Sequence, residues 1–206
     1  MSQSSPALLL ADAPGLDFLN SIATPADTPL DWIEDGEGLL AWLEQTRLVP
    51  SEVLKCMREE AVPGELDRVA GQARDLRDWF RGFVRSHQGR PLGANAIDEL
   101  VPLNRLLERD QIYSAVAPAE GSDGCLGFQV LRRWKSPESL LLPIGEALAR
   151  LVTEMDFTQI KLCEGSACTL LFADKTRARN RRWCSMDICG NRAKQAAHRQ
   201  RVAQQR

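Results

Sequence analysis

The sequence has 206 residues, 44% of them hydrophobic and 26% charged, which suffices for one compact soluble domain with a small appendage. No apolar run is long enough to span a bilayer, and the first twenty residues lack the pattern of a secretory signal, so we expect a cytoplasmic protein. Residues from 160 onward carry 11 Lys and Arg against 3 Asp and Glu, whereas the remainder is acidic by 10 charges, so we expect an acidic body with a basic tail that binds polyanions.

Hydrophobic periodicity predicts a mostly helical body. A short strand at 7–11 and a short helix within 15–23 come first, and a helix, a stop and a new helix start follow in 36–53. The clearest helix covers 64–86, where apolar side chains recur every three or four residues. Another helical pattern follows, which Pro102 is expected to kink or restart.

Two strands and one more helix complete the predicted body. Residues 111–118 and 126–134 are typical of strands, and the polar, Gly-rich segment between them predicts a turn. Ser136 or Pro143 then opens a helix. Only the four residues DFTQ connect this helix to the basic tail, so we expect the tail to pack on the body rather than to move on a flexible tether.

Four of the six cysteines lie in the tail, in two pairs of equal spacing. Cys163 and Cys168 are separated by four residues, and after fifteen more residues Cys184 and Cys189 repeat that spacing. Two such pairs joined by a hairpin-length insert can place four thiolates at the corners of a tetrahedron, the geometry that zinc accepts. Because the tail has few apolar residues, a structural metal would supply folding free energy that burial does not. Four thiolates would leave no open position for a catalytic water.

There are three alternatives to zinc. Two disulfides would need an oxidising compartment, which nothing in the sequence indicates. Redox-active thiols are compatible with the nearby arginines, which lower the pKa of a thiol, but a redox pair needs only one of the two motifs. Four unconnected core cysteines are disfavoured because the segment is too polar to form a core. The spacing therefore favours zinc.

Basic residues surround the predicted metal site and exceed what is needed to offset the formal charge of a zinc ion with four thiolates. We expect Arg177, Arg179 and Arg181 to share one strand face of a hairpin, Gly190 to take a positive φ, and Asn191 to cap a helix. The residues predicted to contact nucleic acid are Arg177, Arg179, Arg181, Arg182, Arg192, Lys194 and Arg199. A merely solvated face and docking of the tail on the acidic body are the alternatives.

The tail also resembles a known family. The segments CEGSACTLLFADKTRARN and RRWCSMDICGNRAK are similar to the CGNR-type zinc finger of bacterial stress-induced transcription regulators, including the Cys-Gly-Asn-Arg run that names the finger. Upstream, GLDFLNSI, LLAWLEQTRLV, ARDLRDWFRGFV and LNRLLER resemble blocks of the family's ABATE domain. The resemblance implies an ABATE-like regulatory or sensor domain over 1–156, a CGNR-type zinc finger over 157–206, one structural Zn2+ on the four cysteines, and DNA binding.

We therefore predict an α+β protein with a mostly helical N-terminal domain that includes a small β-hairpin, followed by a small zinc-stabilised ββα-like module. The leading hypothesis is a bacterial transcription regulator that binds DNA, as a homodimer if one module reads too few base pairs. No catalytic constellation stands out. Asp17, Phe18 and Asn20 could line a pocket for a small-molecule effector, although a capping or turn role is favoured. The alternatives are an RNA-binding or ribosome-associated protein and an adaptor whose basic finger docks an acidic protein partner.

Overall fold

A computed structural model describes residues 6–11, 13–24, 29–118 and 124–204 of the chain. These residues form α-helices and two-stranded antiparallel sheets, which confirms the predicted α+β class. The α-helices are α1 (Pro14–Leu19), α2 (Gly36–Thr46), α3 (Ser51–Glu60), α4 (Glu65–His87), α5 (Val101–Leu107), α6 (Leu141–Glu154) and α7 (Asn191–Gln204). The strands are β1 (Ile22–Ala23), β2 (Leu30–Asp31), β3 (Ile112–Pro118), β4 (Leu126–Arg132), β5 (Ile160–Leu162) and β6 (Leu171–Ala173).

The strands pair in the order β1–β2, β3–β4 and β5–β6. β3 and β4 form the predicted hairpin, in which Val116 lies opposite Phe128. β5 pairs with β6 across the loop that contains the first two cysteines. The strand expected at 7–11 is absent: this segment makes a single backbone hydrogen bond to β6, from the amide of Ala173 to the carbonyl of Ala11, and one bond does not make a ladder.

The hydrophobic core lies between α1, α2, α4 and α6. α4 contributes Phe80 and Val84, which are fully buried, as the periodicity of 64–86 predicts. α1 lies directly against α6, because a Cβ atom on Gly15 would come within 2.8 Å of the carbonyl oxygen of Ala147. Only a residue without a side chain permits this approach of the two helices.

Proline sets the start of α5, as predicted. A 3-10 helix over Ala94–Leu100 gives way to α5, and Pro102 lies in the first turn of α5. Proline is tolerated there because the first amides of a helix have no intrahelical acceptor. None of the described helices is both long and apolar enough to cross a bilayer.

Two arginines on the buried face of α4 hold the N-terminal segment in place. Arg77 is 1% exposed and forms two hydrogen bonds of 2.7 Å to the carboxylate of Asp31 and one of 3.0 Å to Ser21 Oγ. Arg81 donates to the backbone carbonyl of Leu19, at 2.7 Å. Burial lowers the pKa of Arg81 to about 10, so the guanidinium remains charged at neutral pH.

Candidate metal centre and basic surface

The two cysteine pairs reach one point from different elements. The first pair lies in the loop between β5 and β6, where the amide of Cys163 continues the strand ladder with a 2.9 Å hydrogen bond to the carbonyl of Leu170. In the second pair, Cys184 precedes and Cys189 lies within a π-helical turn, Met186–Gly190, which leads directly into α7. The site therefore joins a hairpin at one side to a helix at the other.

The four sulfur atoms have the spacing that a tetrahedral metal ion requires. The Sγ atoms of Cys163, Cys168, Cys184 and Cys189 all lie within 4.8 Å of one another, and all four residues are buried. Sγ of Cys184 lies 3.9 Å from that of Cys168 and 3.7 Å from that of Cys189. A Zn–S bond of about 2.3 Å implies tetrahedral S–S edges of about 3.8 Å, whereas a disulfide would need about 2.05 Å. The geometry fits zinc and does not fit a disulfide.

The thiols influence one another's ionisation strongly. Hydrogen bonds from the thiols of Cys168 and Cys184 lower the pKa of Cys163, helped by the amides of Cys184 and Gly165, which lie 3.3 Å and 3.4 Å from its sulfur. Burial raises the pKa of Cys189 to about 12, and the negative charge of the neighbouring Cys168 and Cys163 thiolates contributes in the same direction. The four cysteines can all ionise only when a cation neutralises them, which is what a bound zinc ion does.

Comparison with protein families identifies both halves of the chain. The model for the CGNR zinc finger matches residues 159–202. The model for ABATE, described as "Putative stress-induced transcription regulator", matches residues 12–155, which is more than two thirds of the chain. The chain belongs to the ABATE family. The predicted order of an ABATE domain followed by a CGNR zinc finger is confirmed, and the four cysteines form the zinc-binding site of that finger. No curated protein sequence is similar enough to this chain to count as a match.

The CGNR finger is fixed to the ABATE domain by polar contacts. The side chain of Asn20 bonds both backbone groups of Leu171 in β6, accepting from the amide at 2.9 Å and donating to the carbonyl at 2.8 Å. The guanidinium of Arg81 donates to the carbonyl of Thr169, and the Thr169 hydroxyl accepts from the amide of Thr24. The four-residue connection DFTQ predicted that the tail packs on the body, and these hydrogen bonds show that β6 and its neighbours do so.

Asp174 organises the segment between the two cysteine pairs. It is fully buried and accepts hydrogen bonds from Lys161 Nζ at 2.7 Å, from Thr176 Oγ1 at 2.6 Å and from the amide of Arg181 at 2.9 Å. Burial on its own would raise the pKa of Asp174, but these hydrogen bonds outweigh it and hold the pKa below the ordinary value. An ionised carboxylate is therefore the centre of this loop.

The insert is not the hairpin that we expected. No residue between β6 and the π-helical turn lies in a strand, so Arg177, Arg179 and Arg181 do not share a strand face. β6 pairs instead with β5, whose residues precede the first cysteine. Arg177 is exposed on the resulting loop, and Arg179 is exposed there with a φ of 48°.

Arg181 has a different environment from its basic neighbours. It is half-buried, and its guanidinium lies 4.5 Å above the ring of Phe172 while donating to the backbone carbonyls of Trp183 and Cys184. These contacts connect the loop to the second cysteine pair. Arg181 therefore supports the metal site from inside the finger, a role that no sequence pattern indicates.

The remaining predicted contact residues are exposed. Arg182 bonds Glu164 at 2.7 Å and lies 5.1 Å above the ring of Trp183. Arg192, Lys194 and Arg199 lie on α7, none of whose described residues is buried. In this structure the helix is therefore not docked on the acidic ABATE domain. A groove of about 430 Å3 separates it from the first cysteine pair.

Gly190 does not have the expected backbone conformation, although it is closely packed. It is not among the described glycines with positive φ. A Cβ atom there would instead lie 2.6 Å from Met186 Sδ, inside the π-helical turn. α7 begins at Asn191 itself, directly after this turn, so Asn191 belongs to the helix rather than preceding it as a cap.

Sequence reasoning missed the residues that join the two domains. Asn20, a candidate for lining an effector pocket, is only 2% exposed, and its side chain is hydrogen-bonded to both backbone groups of Leu171. Arg77 and Arg81 fall in the apolar stripe of α4, and a charged residue in such a stripe indicates a buried polar contact. The sequence therefore indicates that these arginines are buried and paired, but it does not indicate which groups they pair with.

Proposed function

We propose that this ABATE-family protein is a regulator that binds duplex DNA through the loop at 174–182 and α7 of its CGNR finger. The observation that carries the proposal is the exposure of α7 on every side while its first turn adjoins the zinc site. A helix with no buried face gains nothing from its own domain, so its free surface is available to a ligand. Its basic composition favours a polyanion.

Part of the positive charge of this surface has no carboxylate partner among the described residues, although Arg182 pairs with Glu164. Within the described part of the chain, Arg177, Lys194 and Arg199 form no salt bridge with any carboxylate. Arg192 also lies on α7, and together with the loop these residues supply cations over two sides of one small module. Arginine and lysine on such a surface contact phosphates, and arginine can also read guanine edges.

The shape of α7 fits a major groove. Between its basic residues the helix carries Ala193, Ala196 and Ala197, whose small side chains keep it narrow. A B-DNA major groove is about 12 Å wide and admits one α-helix. The helix spans 14 residues, about 21 Å at 1.5 Å per residue, so it projects far enough from the zinc site to enter the groove.

The ABATE domain is proposed to regulate this binding, with the division between residues 156 and 157. The hydrogen bonds of Asn20 and Arg81 to the finger support this role, since they transmit any displacement of α1 or α4 to β6. A small-molecule effector that moves those helices would reorient α7. The protein is proposed to act in the bacterial cytoplasm, in a response to stress.

The test is a comparison of nucleic acids and of two matched double variants. Fluorescence anisotropy would measure binding of the full chain to duplex DNA and to structured RNA of equal length, at one low salt concentration. We expect tighter binding to DNA, and we expect Arg192→Gln with Arg199→Gln to weaken it at least tenfold. Arg105→Gln with Arg109→Gln, which removes two exposed arginines of the ABATE domain, is the control and should leave affinity unchanged.

Three results would overturn the proposal in different ways. Tighter binding to RNA would favour an RNA-binding or ribosome-associated role. Binding to neither nucleic acid would leave an acidic protein as the partner of the finger. If both double variants lost the same affinity for duplex DNA, binding would depend on the total charge of the protein and not on α7.

A further inference from the structure

The β3–β4 hairpin has one broad apolar face that no described residue covers. Residues that alternate along a strand, and residues directly opposite across an antiparallel pair, share a face. By the observed register, this face contains Val116 opposite Phe128 and Ser114 opposite Val130. Its five large apolar side chains are each more than half exposed. They are Ile112 at 55%, Val116 at 70%, Leu126 at 75%, Phe128 at 76% and Val130 at 65%.

This face is as large as the apolar patches that mark interaction sites on protein surfaces. At about 150–250 Å2 for a fully exposed aromatic side chain and somewhat less for an aliphatic one, the five side chains present roughly 600 Å2 of contiguous apolar surface. The largest apolar patch on a typical monomer is about 300–600 Å2, and patches at or above that size mark interaction sites. A two-stranded hairpin is also only marginally stable in water by itself, so a partner on this face would stabilise it.

The chemistry of the face excludes nucleic acid and favours a second copy of the chain. Ser114 lies within this face and Pro118 lies at its turn end, and neither they nor the five apolar residues carry a charge. The nearest cation on that side, Arg132, is turned to Asp110 and Glu146, to which it donates at 2.7 Å and 2.9 Å. An uncharged, flat face matches itself about a two-fold axis without like charges opposing one another.

We infer that this protein forms a homodimer by packing the Val116–Phe128 face of its hairpin against the same face of a second copy. Two such faces bury about 1,200 Å2 in total, the lower limit for a specific interface, so the dimer dissociates in the micromolar range. The proposal is independent of what the finger binds, because the hairpin belongs to the ABATE domain and contributes nothing to the zinc site.

Sedimentation velocity on the full chain between about 1 and 100 μM tests the dimer, since this range spans a micromolar dissociation constant. We expect the mass to rise from 22.9 kDa toward twice that value in the wild type. Val116→Glu with Phe128→Glu should weaken association at least 30-fold, so that the mass of this variant stays well below that of the wild type at every concentration in this range. Both side chains are more than two thirds exposed, so the fold does not depend on them.

The matched control is Val62→Glu with Ile97→Glu, which places two carboxylates on exposed apolar residues outside the hairpin. This variant should dimerise like the wild type. A wild type that stays monomeric at 100 μM would overturn the inference. So would a hairpin variant that still dimerises, because association would then use another surface, such as the strand edges. If both variants lost the dimer to the same extent, the added negative charge would be the cause, and the inference would also be overturned.

Discussion

At the scale of single residues, Gly165 shows how closely the backbone approaches the metal-binding sulfurs. It lies in the loop of the first cysteine pair, and a Cβ atom there would be 2.9 Å from Sγ of Cys189 and 3.1 Å from Cβ of Cys168. Neither neighbour can move away, because both are predicted to be bonded to the same metal ion. The glycine therefore allows the first pair to close over the second.

We expect Gly165→Ala to lower the affinity for zinc at least tenfold while leaving the ABATE domain folded, since the added methyl displaces one ligand sulfur. Competition with a chromogenic chelator measures this affinity. Gly82→Ala is the control, because a Cβ atom at that position meets nothing within 4 Å. Equal zinc affinities for the two variants would contradict this account of the loop.

Asn20 is a second residue with a specific structural role. The side-chain amide of Asn20 forms the two hydrogen bonds that a neighbouring strand would otherwise form with Leu171. The backbone groups of Leu171 are buried and have no strand partner on that side. Asn20→Ala leaves a buried donor and a buried acceptor without partners, and each such loss costs about 1–3 kcal/mol. We expect the free energy of unfolding to fall by about 2–4 kcal/mol in urea titrations.

The control for this change is Asn104→Ala, on the exposed side of α5. It should alter stability by less than about 0.5 kcal/mol, as surface substitutions usually do. A similar effect of the two substitutions would mean that the bonds to β6 do not hold the finger on the ABATE domain.

At the scale of the elements, the finger has two parts with different sources of stability. β5 and β6 contribute Ile160, Leu171 and Phe172 to the main hydrophobic core, so their position depends on burial. The π-helical turn contributes only Cys189 and Gly190 to the buried interior, and α7 contributes nothing. The second part therefore depends on the metal ion.

Removal of zinc by a chelator should accordingly release only part of the finger. Hydrogen exchange followed by mass spectrometry should show full loss of protection in peptides from 184–204, while peptides from α4 and β6 keep theirs. Adding zinc back should restore the protection. Unfolding of β6 together with α7 would contradict this division, and so would unchanged protection throughout.

The elements also show what local sequence can specify. Helical periodicity predicted α4, and the equal spacing of the cysteines predicted the composition of the metal site, because both patterns repeat over a few residues. The partner of β6 was not predictable in that way. Leu171 could pair either with the arginine-rich insert or with Leu162, and the choice depends on long-range packing against the ABATE core. The expected arginine face failed for this reason.

At the scale of the whole molecule, the finger and the ABATE domain share one continuous core. Phe157 at the junction is 1% exposed and meets Phe83 of α4 edge to face, and the amide of Gly89 donates to its carbonyl at 2.8 Å. One core thus joins the ABATE domain, which has an excess of acidic residues, to the finger, which has an excess of basic residues. With a dimer formed through the hairpins, two basic fingers would bind one duplex and read more base pairs than a single module can.

If the basic finger binds DNA by contacts to phosphates, the affinity must depend steeply on the salt concentration. Affinity of the zinc-loaded chain for duplex DNA should fall about 100-fold between 50 and 200 mM salt if about four phosphates are contacted. Chelation of zinc should abolish the salt-sensitive binding. Affinity that does not change with salt, or no binding even at 50 mM, would contradict the account.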